Sequence, residues 1–92
     1  MKKLQEHLGN IFPTAKKQAK QASDLGLVIP DTESIETIKA EIKKFFVDSG
    51  HSIVEREEDT ELAFKKGKKF VFVIIANIND EFRFFVVEIE PE

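Results

Sequence analysis

Between Ile35 and Phe46, large apolar residues recur at 35, 38, 42, 45 and 46, the spacing that lines one face of an α-helix. Asp31 or Thr32 can cap this helix. Glu33 and Glu36 complement its positive end, Lys43 and Lys44 its negative end, and Gly50 stops it, so the pattern predicts a main amphipathic helix over residues 32–49. Val47 falls off the stripe and belongs at its edge or on the surface. Beyond Gly50 the period changes to two. Residues 52–57, 60–66, 70–78 and 82–89 read as strands separated by turns at Glu58-Asp59, Lys66-Gly67-Lys68 and Asn79-Asp80.

The first 25 residues are written less clearly. Residues 2–8 read as a short helix ended by Gly9-Asn10. From Thr14 as N-cap, the spacing of Ala15, Ala19, Ala22 and Leu25 predicts another helix, stopped by Gly26. The expected architecture is therefore α+β: two N-terminal helices (a basic helical segment within 1–25, then the main helix 32–49) followed by a four-stranded antiparallel β-meander over 52–90, helix packed on the sheet. All 92 residues form a single domain.

Strand 70–78 places Phe70, Phe72, Ile74 and Ala76 on one face and Val71, Val73 and Ile75 on the other. Strand 82–89 is likewise apolar on both sides, so both faces of the sheet require cover. The main helix supplies one layer. A helix lined mostly by alanine is a thin second layer, which leaves two sources of cover. One is a second copy of the chain, making a homodimer. The other is Leu4, Leu8, Ile11 and Phe12 of the N-terminal segment.

Composition narrows the chemistry. At 41% hydrophobic and 34% charged, the chain is ordinary globular protein. It has no cysteine, hence no disulfide framework, thiolate metal site or cysteine nucleophile, in keeping with a reducing, cytoplasmic setting. No signal-peptide pattern follows Met1-Lys2-Lys3-Leu4, and the longest apolar run, Phe70–Ala76, is far short of a membrane span. The net charge of −3 conceals blocks of opposite sign: positive over 1–22, strongly negative over 23–64, positive at Lys65-Lys66-Gly67-Lys68-Lys69, and negative again to the end.

Candidate partner-binding residues come from two of these blocks. Glu55, Glu57, Glu58, Asp59 and Glu61 form an acidic hairpin tip. Their spacing matches no calcium loop and alternates between strand faces, so they read as a solvated turn or an acidic docking patch. Lys65, Lys66, Lys68 and Lys69, with Lys16, Lys17 and Lys20, could grip phosphates. But the chain has no Tyr or Trp to stack bases, its nine Phe sit mostly at core positions, and lysines flanking an aggregation-prone strand serve as gatekeepers. His7 and His51 have no sequence-adjacent nucleophile or carboxylate relay. Glu88 and Glu90 on the last strand lack the converging acids and lysine of a metal-dependent nuclease. No catalytic, metal or cofactor site is expected.

The stretch from Ile35 to about Val87 has a recognisable layout. An amphipathic helix ends in Phe45-Phe46-Val47-Asp48-Ser49-Gly50-His51. Ile53-Val54-Glu55, an acidic turn, Leu62-Ala63-Phe64, a basic glycine turn and Phe70-Val71-Phe72-Val73 follow. This pattern resembles the α-β-β-β half of bacterial YbjN-like domains, within the type III secretion chaperone-like fold. The resemblance implies a dimeric protein-binding module without catalytic residues. That family continues into a further helix, which here would have to be replaced by residues 1–25 or a second subunit.

Three functions fit these features. The leading expectation is a non-enzymatic protein-binding domain of chaperone or adaptor type. The alternative is a small acidic inhibitor, such as an immunity protein or a phage anti-defence protein, whose carboxylates mimic phosphates. The third is weak nucleic-acid binding through the lysine blocks.

Overall fold

A computed structural model describes residues 2–19, 21–56 and 58–91. The chain runs α1 (Lys2–Ile11), β1 (Lys16–Lys17), β2 (Asp24–Pro30), α2 (Ile35–Asp48), β3 (Ser52–Val54), β4 (Glu61–Lys66), β5 (Lys69–Ile78) and β6 (Glu81–Ile89). All six strands join one antiparallel sheet in the order β1-β2-β6-β5-β4-β3.

This corrects the expected four-stranded meander. The four C-terminal strands do lie side by side in chain order, but β2 adds to the free side of β6, and β1 adds to β2. The error lies in residues 15–25. Ala19 and Ala22 are exposed, and Ala22 sits in the left-handed region at φ 48°. Alanine favours helix intrinsically but buries little area, and that preference yields when large residues nearby can enter a sheet. Leu25, Leu27, Val28 and Ile29 do so, each no more than 2% exposed. Gly26, expected as a helix stop, lies inside β2 at φ 81°. There the register with β6 slips between Asp24 and Val28. Leu25, Leu27 and Ile29 keep the two-residue alternation into the core, and the two extra residues of β2 are taken up between Asp24 and Val28.

α1 is longer than expected, running through Gly9 and Asn10 to Ile11. α2 begins later than 32, because Ser34 is its N-cap: the Ser34 hydroxyl oxygen accepts from the Thr37 amide at 3.3 Å. Its end is a Schellman closure. Gly50, at φ 86°, donates to Val47 O, and His51 donates to Phe46 O. Ile38, Ile42 and Phe46 are fully buried, Ile35 and Phe45 flank them half-buried, and Val47 is exposed as its off-stripe position predicts.

Two tight hairpins set the register of the long strands. Gly67 takes φ 63° at the first position of the β4–β5 turn, and Asn79 and Asp80 take φ 53° and 63° in the β5–β6 turn. Positive φ at both central residues is the I′ geometry, whose twist matches that of the strands it joins.

Both helices cover the same side of the sheet. α1 packs on α2 and β2, and α2 on β3 and β4. Leu4, Leu8 and Phe12 share one core cluster with Ile38, Ile42 and Phe46, and with the inward residues Leu27, Ile29, Phe64, Val71, Val73, Ile75 and Phe84. The N-terminal segment therefore widens the first layer instead of supplying the second. Ile11 stays 37% exposed.

Candidate functional site

The side of the sheet that faces away from the helices is defined by strand pairing. Phe70 pairs with Ile89, Phe72 with Val87, Ile74 with Phe85 and Ala76 with Arg83. On the neighbouring strand Lys65 lies opposite Phe70, Ala63 opposite Phe72 and Glu61 opposite Ile74, and Val54 of β3 extends the row through Ala63. These positions alternate with the core residues, so they share the second face.

Its centre is apolar and open. Ile74 is 38%, Val87 37% and Ile89 49% exposed, and Phe70, Phe72 and Phe85 are half-buried. A solvated sheet face carries polar residues at about every such position, and this one carries a phenylalanine or a branched aliphatic. The rings of Phe70 and Phe72 stack along β5 with centroids 6.3 Å apart.

Charges rim the apolar centre and are spoken for within the chain. On one flank the Arg56 guanidinium donates to Glu61 Oε1 at 2.9 Å and lies over the Phe72 ring, 5.4 Å from its centroid. On the other, Arg83 Nη1 lies 3.4 Å from Asp24 Oδ2, whose partner oxygen Oδ1 accepts from the Gly26 amide within the β2 irregularity. Lys65 Nζ sits 5.4 Å from the centroid of Phe70. Cations above aromatic rings gain from the ring quadrupole while their stems cover apolar surface.

The two charged blocks expected to bind partners are separated by the length of β4. Glu55, Glu58 and Asp59 are exposed in the β3–β4 connection, and Glu61 is half-buried against Arg56; Glu57 lies outside the described residues. Among the described residues no group of three or more His, Cys, Asp and Glu is arranged to hold a metal ion. The lysines do not converge. Lys65 turns to the open face. Lys66 donates to the Ser49 carbonyl at the end of α2 at 3.1 Å, Lys69 pairs with Glu88 at 3.2 Å, and Lys68 is exposed in the turn. Strand alternation divides them between faces, so they do not present one anion site. Lys16 and Lys17 form β1 on the far side of the sheet, and Lys20 lies outside the described residues.

The histidines sit on the helical side. His7 Nε2 is 3.5 Å from Glu41 Oε1 without hydrogen-bond geometry, and its ring tilts against Phe45. His51 packs edge-on to Phe46, with its buried Nδ1 making no hydrogen bond. Beside them a shallow groove of about 300 Å³ opens between the start of α1 and the end of α2. These are packing positions at a helix terminus and a helix–helix seam.

The sequence marks both the excess of apolar residues on β5 and β6 and the charged turns as candidate surfaces. The signal for the open face was present in Phe70, Phe72, Ile74, Phe85 and Val87. What was missing was which of two equally apolar faces the helices take. No helix among the described residues is long and apolar enough to cross a membrane. No protein-family model, curated protein or solved structure matches this chain.

Proposed function

We propose that this chain is a non-enzymatic protein-binding domain of adaptor or chaperone type, and that its binding surface is the open face of the sheet around Phe72, Ile74, Phe85 and Val87. One observation carries the reading. In a chain this small, both helices are spent on one side of the sheet, while the other side keeps a contiguous apolar surface spanning β4, β5 and β6. Leaving such a surface in water costs free energy in proportion to its area, at about 25 cal/mol per Å², and a protein surface recovers that cost by covering it. The polar rim and apolar centre are the anatomy of a protein interface. The resemblance to YbjN-like domains points to the same class of activity.

Site-specific photo-crosslinking in source cells tests this. A benzoylphenylalanine at Ile74, 38% exposed on the open face, should yield discrete protein adducts. The same group at Lys44, exposed on α2, should not. Adducts absent at 74, or equal at both positions, would refute the assignment of the surface.

A further inference from the structure

Resting on the reading of the open face as a protein-binding surface, we infer that its occupant is a second copy of this chain, docked sheet on sheet about a two-fold axis. Three features of the face select a copy of itself.

The first is the arrangement of side chains at its centre. Phe72 pairs with Val87, and Ile74 pairs with Phe85, on adjacent rows of β5 and β6. The two phenylalanines therefore occupy one diagonal of a square and the two branched aliphatics the other. A two-fold axis parallel to the strands through the middle of this square sets Phe72 over Val87 of the second copy and Ile74 over its Phe85. A two-fold axis across the strands sets Phe72 over Ile74 of the copy and Val87 over its Phe85. Either operation opposes every ring to a smaller side chain. Large against small is the condition for two layers to interdigitate at the roughly 10 Å separation of stacked sheets. The face is thus complementary to itself under the symmetry that closed dimers use.

The second is charge. The Arg56–Glu61 and Arg83–Asp24 pairs on the two flanks are satisfied within one chain. The face asks for no oppositely charged partner, and two copies meet without a block of like charge between them.

The third is size. The apolar face spans β4, β5 and β6, of six, ten and nine residues, so it averages about 28 Å along the strands and about 14 Å across them. The projected face is therefore roughly 400 Å² per copy, or about 800 Å² for a pair, the size of a weak, reversible interface of micromolar affinity. Association through the sheet edges is poorly provided for. β1 offers two residues, both lysine, and β3 offers three.

The test is the mass of the purified chain by light scattering or sedimentation equilibrium from about 1 to about 100 µM, the range in which a micromolar dimer forms and dissociates. The expected mass is twice the 10.5 kDa of the chain, with an unfolding midpoint that rises with concentration. Val87→Lys should restore the monomer mass and remove that concentration dependence while leaving the far-UV circular dichroism unchanged, since Val87 is 37% exposed and the lysine stem can reach solvent. A wild-type chain that stays at 10.5 kDa throughout overturns the inference, as does a dimer that Val87→Lys leaves intact. If Val87→Lys unfolds the chain, Ile74→Lys replaces it under the same criteria. A monomer whose position 74 still crosslinks to a different protein refutes the second copy and keeps the binding surface. A monomer with no adducts refutes both.

Discussion

Replacing Phe46 by alanine is the sharpest probe of how the helical layer holds the sheet. The ring is fully buried. It stacks on Phe64 of β4 with centroids 4.3 Å apart and planes 19° from parallel. It also meets Phe45 and His51 edge-on at 5.3 and 5.2 Å. Truncating a buried phenylalanine costs about 3–5 kcal/mol, because the transfer free energy is lost and the cavity closes only in part. Here the upper half of that range applies. The cavity would lie between a helix and a strand held apart by the surrounding core, and the aromatic contacts add about 0.5–1.5 kcal/mol per pair beyond area. A domain of this length has about 5–14 kcal/mol in total, so Phe46→Ala removes a third of it or more. The melting temperature should fall by roughly 20 °C or more, at about 4–8 °C per kcal/mol. Urea unfolding followed by circular dichroism, at one fixed protein concentration, measures it. Phe45→Ala is the comparator. That ring is only half-buried, so its loss should cost less than half as much. A Phe46→Ala cost below about 1 kcal/mol, or equal costs at the two positions, would show that Phe46 is not the keystone between α2 and β4.

Two backbone positions give smaller, signed outcomes under the same unfolding assay. Gly50→Ala should destabilise by about 1–2 kcal/mol, because φ 86° in the Schellman closure opposes a Cβ although the nearest atoms, Lys66 Cε and Nζ, stand clear at 3.6 Å; no change would mean the helix end relaxes freely. Asp80→Gly should stabilise by about 0.5–1 kcal/mol, since glycine relieves φ 63° at the second central position of the I′ turn, and a loss would mean that the Asp80 side chain contributes more than its strain costs.

The legible parts of the fold are those whose signal is local. α2 carries its stripe and its stop within 16 residues of sequence, and the β4–β5–β6 hairpins carry alternation plus turn residues with the required handedness. β2 carries neither. Its apolar run is interrupted by Gly26, ended by Pro30 and preceded by alanines at helical spacing, so a local reading extends the alanine pattern forward. What makes it a strand is pairing with β6, where Asp24 meets Phe85 and Pro30 meets Glu81. Such a contact, some 50 to 60 residues away, leaves no periodic mark near Leu25.

The open face was hidden for a different reason. Along β5 the odd and even residues are both apolar, so period alone does not say which set is core. The decision is made by the helices. Leu4 and Leu8 of α1, and Phe12 just after it, project into the cluster that α2 already fills, and together the two helices span the sheet from β2 to β3. A single helix of 14 residues could not cover six strands. Adding β2 and β1 widens the sheet, and α1 is the cover that this widening requires. The N-terminal segment is thereby committed to the first layer, and Phe70, Phe72, Ile74, Phe85, Val87 and Ile89 are left facing outward. Of the two expected sources of cover, the N-terminal segment is placed by topology on the other face. α1 packs on α2 and β2, so the N-terminal segment does not supply the second layer.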